Sequence, residues 1–501
     1  MTRVVLLGSS PGPDTAPTGL RLAALPGTPT VGERLRSQIL SLDPQPAAIE
    51  PGDTAAALRA LAEVAESTTD NLLLLPDNSI VHDELIYQIT KAKRAALALV
   101  AKEPRPEDAP DDEPVPIEEA EPEIGERTLE GLLVRVRAGK SRVISVGTAQ
   151  LAVTRPNTVL LGPLHLQAKH LPVLAETCRE LAELTHLFGQ EDDLVQLVVF
   201  GLVRKGVSVG IRGRRDLFYR RVTTQEEANE AGAEISGMDE DRARLNNAVK
   251  GADGFFTTYF VSTYSRFIAR WAAHRGLTPN QVTLISIALG VAAAACFATG
   301  ERVWMVAGGV LIYFAFVFDC VDGQVARYAR KFGVLGAWLD ATFDRFKEYV
   351  VFAGLAVGYV VSGHSDDIWI LALVALSLQS VRHLLDFSFG ISNRRKPPSP
   401  LPTTPLDAPS DVGLRKALEK RKIERSTGIR GVLRMWTRAG RYRAVHWARK
   451  MVVFPIGERF AVIAITAAFF DAQVTFLTMV IWGSVAACYT LAGRLMRSLA
   501  S

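Results

Sequence analysis

The chain has little cysteine and almost no excess charge, and both shortages argue against broad classes of protein. Only four of the 501 residues are cysteine, and they form no Cys-x-x-Cys or Cys/His cluster. A disulfide scaffold and a structural zinc site are therefore poor interpretations. The net charge is +4, so no domain-wide basic excess indicates nucleic-acid binding. The apolar run in the opening MTRVVLLGSS is too short for a secretory signal, and none is expected.

The first part of the chain alternates short apolar runs with amphipathic ones. Strand-like stretches such as RVVLLG and NLLLLP are separated by helical patterns such as the one from Val31 to Leu40. This alternation predicts a layered α/β domain over residues 1–235. Residues 103–127 are proline-rich and acidic, with almost nothing to bury. They are predicted to be a disordered insertion inside that domain.

Beyond residue 276 the apolar runs approach the length that a membrane span needs. A bilayer core takes about 20 apolar residues per helix. The pattern predicts an all-α transmembrane domain over residues 276–501. Its six predicted spans are 280–299, 303–322, 337–361, 367–389, 452–471 and 473–494.

The links between the predicted spans differ in charge. Those after the second and fourth spans are basic, whereas the others carry few positive residues. Because basic loops stay on the cytoplasmic side, both termini and the soluble domain are predicted to be cytoplasmic. The long basic loop, about residues 390–450, is expected either to bind anionic lipid headgroups or simply to set this topology.

Residues 236–275 connect the two predicted domains. Their second half, FFTTYFVSTYSRFIARWAAHRG, mixes aromatic residues with Arg266, Arg270 and Arg275. This composition predicts an amphipathic helix at the membrane surface. An ordinary linker helix that packs on its own domain is the alternative.

Four aspartates lie where the second and third predicted spans meet. Asp319 and Asp322 are three residues apart, and Asp340 and Asp344 are four apart, so each pair shares one helical face. A short basic turn joins the two helices, which lets the acidic faces meet. Clustered carboxylates near hydrocarbon are costly unless cations neutralise them. Oxygen ligands favour Mg²⁺, Mn²⁺ or Ca²⁺, and two such ions would form a clamp for phosphoryl transfer.

Small residues accompany these aspartates. Gly323 and Ala326 leave room for a nucleotide to approach the first helix, and Gly336 does the same on the second. Arg327 can counter the charge of a phosphate. The spacing Asp-x2-Asp-Gly-x2-Ala-Arg-x8-Gly-x3-Asp-x3-Asp resembles the signature of the CDP-alcohol phosphotransferase family at every fixed position. LTPNQVT at 277–283 and GERFAVI at 457–463 extend the resemblance over about residues 276–495.

The resemblance implies a six-helix membrane enzyme with its active site open to the cytoplasm. Such enzymes displace CMP from a CDP-linked alcohol with the hydroxyl of a second alcohol, and dimers are usual among them. Carried over, Asp319, Asp322 and Asp340 would hold two Mg²⁺ or Mn²⁺ ions. Asp344 would complete the metal site and act as general base. The residues that would line the cytidine diphosphate are Asp319, Asp322, Gly323, Ala326, Arg327 and Gly336.

The substrates are less well indicated. Arg382 and Arg459 lie in or beside predicted spans and are candidates for binding a phosphorylated acceptor such as an inositol phosphate. The alternative for Arg382 is an ion pair with Asp386. The alternative for Arg459, beside Glu458, is that its side chain merely extends to the membrane–water interface and binds no acceptor. His383 and His446 are expected to pack rather than to react, and Cys320 is given no chemistry.

The N-terminal domain resembles GT-A-like nucleotidyltransferases, a Rossmann-like fold. LAALPGTPTVGERLRSQIL, LLLLPDNSIVHDEL and LFYRRVTTQEEANEA carry that resemblance, and Asp77 stands at the acidic position. Some archaeal enzymes of inositol phosphate metabolism fuse such a domain to the membrane domain. Here the glycine-rich phosphate loop is missing, and Arg221 and Thr223 stand where metal-binding acids are expected. The prediction is a degenerate domain without cytidylyltransferase activity.

Three functions follow from these patterns. The first is a metal-dependent CDP-alcohol phosphotransferase in phospholipid or inositol phosphate metabolism, with a CDP-diacylglycerol or CDP-inositol donor, working as a homodimer without nucleic acid. The second is a bifunctional enzyme that also makes its own CDP-alcohol from CTP. The third is a membrane scaffold that binds nucleotide without turnover.

Overall fold

A computed structural model gives the chain as two compact units. Unit 1 comprises Met1–Glu240 with Pro398–Glu424, and unit 2 comprises Asp241–Pro397 with Arg425–Ser501. The predicted acidic insertion, 103–127, lies outside the described residues. The structure describes residues 2–8, 16–50, 52–92, 96–102, 132–137, 142–148, 153, 158–189, 192–214, 217–249, 254–394, 400–424 and 443–499.

Strands are confined to unit 1, among the residues described, and helices occur in both units. The strands are β1 Thr2–Leu7, β2 Ala47–Ile49, β3 Asn71–Pro76, β4 Ser79–Val81, β5 Ala96–Lys102, β6 Leu132–Arg137, β7 Arg142–Val146, β8 Thr158–Leu166, β9 Gly210–Gly213 and β10 Tyr219–Arg221. The helices are α1 Val31–Ile39, α2 Thr54–Ser67, α3 Asp83–Thr90, α4 Leu171–Glu183, α5 Leu194–Arg204, α6 Gln225–Gly237, α7 Glu240–Ala248, α8 Ser262–His274, α9 Pro279–Ala298, α10 Arg302–Tyr328, α11 Val334–Val361, α12 Ile368–Arg394, α13 Val412–Glu424, α14 Arg443–Val452, α15 Ile456–Phe469 and α16 Ala472–Leu499.

Unit 1 is built on a mixed sheet of eight strands in the order β2-β1-β3-β8-β5-β9-β7-β6. β1 pairs in parallel with β2 and β3, and β8 runs antiparallel to β3. The four leucines of β3, 72–75, are each at most 1% exposed, because both faces of the sheet are covered. α2 starts where Asp53 accepts hydrogen bonds from the backbone N–H groups of Ala55 and Ala56. The predicted α/β fold of the N-terminal domain is confirmed.

A segment distant in sequence, residues 400–424, completes the core of unit 1. The sequence pattern places this segment in the basic loop of the membrane domain. Four of its leucines are nevertheless buried in the α/β core: Leu401, Leu406, Leu414 and Leu418.

Polar contacts secure the same segment to the sheet and to α5. Arg204 donates to the carbonyl oxygens of Pro405 and Leu406 at 2.8 and 3.0 Å. Ser145 in β7 donates to Asp411 Oδ2 at 2.7 Å. Burial lowers the pKa of Arg204 to about 10, while the carboxylates of Asp411 and Asp407 act in the opposite direction. The segment is therefore an integral part of the α/β core.

Unit 2 contains long apolar helices. Four of its described helices are long and apolar enough to cross a membrane, with spans Pro279–Ala298, Arg302–Tyr328, Ile368–Ile391 and Ala472–Met496. A fifth would be the pair α14 and α15, which is bent by 71° at a short break.

The predicted count of six spans is not confirmed. The third predicted span, 337–361, does form the 28-residue helix α11. Its residues 340–348 include Asp340, Asp344, Arg345, Lys347 and Glu348, which is more charge than a lipid-exposed span carries.

Glycines let α11 lie against α9. A Cβ added at Gly354 would overlap the carbonyl oxygen of Ala294, and one at Gly358 would overlap that of Phe297. Small residues spaced four apart allow two helix backbones to approach closely. This contact holds α11 beside α9. The charged residues 340–348 of α11 precede the contact on the same helix.

The helix before the first span, α8, has two different faces. Ser265, Ala269 and Ala272 are buried. Phe267 and Trp271 are more than half exposed, with the guanidinium groups of Arg266 and Arg275 lying over their rings. Exposed aromatic rings beside arginine are typical of a helix at a membrane surface. That location stays a prediction.

Candidate active site

Three of the four aspartates converge between α10 and α11. Asp319 lies in the second half of α10, and Asp340 and Asp344 lie in the first three turns of α11. Each offers one carboxylate oxygen, and these oxygens all lie within 4.8 Å of one another. The predicted meeting of the two acidic helix faces therefore occurs for these three residues, and the four-residue spacing places Asp340 and Asp344 on one face of α11.

Asp322, the fourth predicted ligand, lies outside this group of three. Its side chain is buried, with the residue 4% exposed, and its Oδ2 accepts a hydrogen bond of 2.6 Å from Thr283 in α9. Thr283 belongs to the LTPNQVT stretch. This stretch therefore orients one of the motif carboxylates.

The cluster suits a divalent cation. Its donors are carboxylate oxygens, which Mg²⁺ and Mn²⁺ prefer. Asp340 is exposed, so the cluster is open on one side. Asp344 Oδ1 is buried and makes no hydrogen bond of good geometry among the described residues, although an ammonium group lies near it. The carboxylates of this cluster are therefore candidates to hold the ion.

The ammonium group belongs to Lys347, a residue that sequence reasoning missed. Lys347 is 1% exposed, and its Nζ donates to Ser286 Oγ at 2.9 Å. The same atom forms an ion pair with Asp319 and lies 3.2 Å from Asp344 Oδ1. A signal for it existed, since Lys347 and Glu348 are charges inside a predicted span.

Side chains of other residues approach the Cα atoms of the motif glycines closely. A Cβ added at Gly336 would lie 2.8 Å from Asn280 Oδ1 in α9, and one at Gly323 would lie 3.3 Å from the guanidinium of Arg327. Arg327 itself donates to the backbone oxygen of Ala248. Ala326 is half-buried on the same turn of α10.

The sequence of this region decides its family. Residues 276–402, which include α9, α10 and α11, match the sequence model of the CDP-alcohol phosphatidyltransferase family. This part of the chain is a CDP-alcohol phosphatidyltransferase domain. With four apolar helices of membrane length, the protein that carries it is a multi-pass membrane protein.

Curated relatives of the phosphatidyltransferase domain come from bacteria and archaea. A phosphatidylinositol phosphate synthase of Streptomyces avermitilis is 33% identical over 138 residues, which cover 27% of this chain and 52% of that protein. A bifunctional IPC transferase and DIPP synthase of Archaeoglobus fulgidus is 29% identical over 153 residues, which cover 30% of each chain. The chain thus spans about half or less of the length of these relatives.

Among solved structures, the inositol-1-phosphate CTP transferase of T. maritima is similar to part of the chain. The match has 13% identity and a TM-score of 0.26, and it covers 47% of this chain and 97% of that one. A score this low does not by itself establish a shared fold.

The two candidate acceptor-binding cations are both buried near the domain's second group of charges. Arg459 Nε lies 3.0 Å from Oε1 of Glu348, a carboxylate that is fully buried on α11. Arg382 donates to the carbonyl oxygen of Val453 at 2.8 Å. Asp386, the alternative partner of Arg382, forms its ion pair with Arg494.

The histidines take modest positions. His383 Nε2 lies 3.6 Å from Glu348 Oε2, at the edge of the same charged group. The ring of His446 lies against Trp447, with centroids 5.3 Å apart. Glu458, the neighbour of Arg459, accepts a hydrogen bond from the backbone N–H of Phe256 instead of pairing with that arginine.

In unit 1, Arg221 lies beside the carboxylates of Asp193 and of Asp77, the residue at the predicted acidic position. Arg221 forms an ion pair with Asp193, and its Nε donates to Asn78 Oδ1 at 3.0 Å. Burial acts to lower the pKa of Arg221, but the Asp193 and Asp77 carboxylates outweigh it and raise the pKa. Thr223 serves the start of α6, where its N–H and hydroxyl donate to Glu227. The guanidinium of Arg221 therefore lies beside the carboxylates of Asp193 and Asp77.

Proposed function

We propose that the chain is a membrane-bound CDP-alcohol phosphotransferase. It would displace CMP from a CDP-linked alcohol with the hydroxyl of a second alcohol and so form a phosphodiester. The observation that carries the proposal is the convergence of the Asp319, Asp340 and Asp344 carboxylates inside the segment that matches the family.

The reaction needs a base and a leaving group. Asp344, half-buried at the side of the cluster, would take the proton of the acceptor hydroxyl. The acceptor oxygen then forms a bond to the phosphorus that carries the donor alcohol. The bond from that phosphorus to the bridging oxygen of the diphosphate breaks, and its electron pair leaves with CMP. Water exchange on the exposed side near Asp340 would return the proton to solvent.

Asp319, Asp340, Asp344 and the neighbouring Asp322 would hold the divalent cation. When bound, Mg²⁺ or Mn²⁺ would neutralise charge on the diphosphate and on the leaving CMP. Gly323, Ala326 and Gly336 would let the nucleotide approach the helices, and Arg327 borders the same turn.

The substrate class that we propose is inositol-based. The name of the Streptomyces relative, phosphatidylinositol phosphate synthase, points to inositol lipid chemistry. Arg382 and Arg459 are buried cations within one helical domain, and Glu348 offsets the charge of only one guanidinium. The net positive charge supports a phosphorylated acceptor.

Two further features of the proposal concern arrangement in the cell. Arg330 and Lys331 directly follow the aspartate-bearing end of α10. Since basic loops face the cytoplasm, we place the active site and both termini on that side. A homodimer, usual in the family, is the proposed assembly.

The proposal predicts a defined reaction. Full-length protein in detergent or vesicles is incubated with CDP-diacylglycerol or CDP-inositol, each with inositol or inositol phosphate as acceptor. We expect CMP release with one donor–acceptor pair, dependence on Mg²⁺ or Mn²⁺, and loss of release with EDTA. Mass spectrometry of the product identifies both alcohols.

The same assay distinguishes the scaffold alternative. Calorimetry is run with CDP as the ligand, beside the CMP measurement. Binding of CDP without CMP release for any acceptor would replace the enzyme by a nucleotide-binding scaffold. CMP release that persists in EDTA would refute the metal requirement.

A bifunctional enzyme is the second candidate, and Arg221 argues against it. With its guanidinium held by Asp193 and Asn78, this site already has its cation. We therefore expect the full-length chain, given CTP, Mg²⁺ and inositol phosphate, to release no pyrophosphate above the no-enzyme control. Release that is lost in an Asp77→Asn variant would establish cytidylyltransferase activity in unit 1.

A further inference from the structure

Lys347 is built into the acidic cluster as a fixed cation. An ammonium group has three hydrogens to donate. Here three oxygens surround it, one each from Ser286, Asp319 and Asp344. With 1% of the residue exposed, water makes no substantial contribution to this coordination.

The packing around the lysine stem fits this role. Gly290 of α9 faces it, and a Cβ added there would lie 2.8 Å from Lys347 Cγ. The absence of a side chain at residue 290 thus leaves the space through which the lysine reaches the carboxylates. Ser286, one turn earlier on α9, supplies the hydroxyl that completes the coordination.

The position of the ammonium limits what else the cluster can hold. An ion that bridged Asp319 and Asp344 would share their Oδ1 atoms with Lys347 Nζ. Two cations within about 4 Å of each other in a poorly solvated site repel each other strongly. The second oxygens of both aspartates lie outside this ammonium contact, and they would hold one ion together with Asp340.

We propose that Lys347 takes the place of a second metal, so that the active site binds one divalent ion per chain rather than the two expected from the sequence. This inference rests on the proposed function, because it concerns the same carboxylates. It also gives the metal-free cluster an internal counter-charge, so the protein should keep its helix packing when the ion is removed.

The test counts bound ions. Full-length protein is stripped with EDTA, dialysed and titrated with Mn²⁺, and free Mn²⁺ is followed by electron paramagnetic resonance. We expect one Mn²⁺ per wild-type chain. Lys347→Met should bind two, or bind a second ion at least tenfold more tightly. Lys331→Met, which removes an exposed lysine, is the matched control and should stay at one.

A second measurement follows stability without metal. In EDTA, the melting temperature of Lys347→Met should fall well below that of wild type, and Mn²⁺ should restore it, because the carboxylates lose their internal cation. If Lys347→Met does not fold, Gly290→Ala serves instead, since its methyl group pushes on the lysine stem. It should strengthen the binding of a second ion while α9 keeps its helix.

Each outcome decides the matter. Two ions in the wild type, or one ion in wild type, Lys347→Met and Gly290→Ala alike, would overturn the inference. CMP release measured on the same samples tests the proposed function separately from the role of Lys347. One bound ion without CMP release would contradict the phosphotransferase proposal alone. Two bound ions with CMP release would contradict only the role of Lys347.

Discussion

Asp344→Asn is expected to lower the rate of CMP release by about 10³-fold or more while the protein stays folded. Loss of a general base alone costs roughly 10²–10⁴-fold, and Asp344 is also one of the carboxylates that would hold the cation. Asparagine keeps the size of the side chain but can neither accept the hydroxyl proton nor bind the ion as strongly. The loss should appear in kcat, measured as CMP released per chain at saturating donor.

The fold of this variant can be checked by the same electrostatic reasoning. In the absence of metal, the Asp319, Asp340 and Asp344 carboxylates repel one another, and Lys347 offsets one charge. Removing one carboxylate relieves repulsion, so in EDTA the melting temperature should equal or exceed that of wild type. A large drop would instead assign Asp344 a structural role.

Asp366→Asn is the matched control. Asp366 is an exposed carboxylate in the link between α11 and α12 and is not a member of the acidic cluster. Its loss should leave CMP release within about twofold of wild type, because substitutions at exposed positions outside a site usually have small effects. If Asp344→Asn retained turnover within tenfold of wild type, its assignment as the base would be wrong.

The aspartate cluster was predictable because its geometry is local. Helix periodicity predicts that Asp340 and Asp344, four residues apart, share one face of α11. The short turn between α10 and α11 then brings this face near Asp319. The lysine in the cluster could not be predicted in the same way, since its three oxygen partners and its own stem involve three helices, α9, α10 and α11. No spacing along the chain places Ser286 beside Lys347.

Two other differences between expectation and structure have the same cause. The α/β alternation predicted the sheet of unit 1, but no local pattern indicates that Leu406 and Leu414 would join a core formed by residues before 214. The length of α11 predicted a membrane span, yet its charged residues 340–348 form ion pairs with other helices: Lys347 with Asp319, and Glu348 with Arg459. In both cases contacts between residues far apart in sequence, which no local pattern reveals, explain the difference.

The double variant Leu406→Ala/Leu414→Ala is expected to unfold much of unit 1. The two leucines are 7% and 3% exposed within the α/β core. Each buried leucine replaced by alanine costs about 2–5 kcal/mol, and a domain is typically stable by only about 5–15 kcal/mol. The full-length variant should therefore be cut within unit 1 by trypsin at concentrations that leave wild type intact, with mass spectrometry locating the cuts.

Lys420→Arg, on the exposed side of helix α13, is the control; it keeps the trypsin site and should show the wild-type cleavage pattern. Equal protection of the double variant would mean that the 400–424 segment only rests on unit 1. Because the 400–424 segment contributes to the core, a test of nucleotide chemistry in unit 1 needs a protein that contains it. A fragment that ends at residue 240 lacks the four buried leucines of this segment and the Asp411 partner of Ser145. Its inactivity with CTP would follow from a broken core, and for that reason the pyrophosphate assay must use the whole chain.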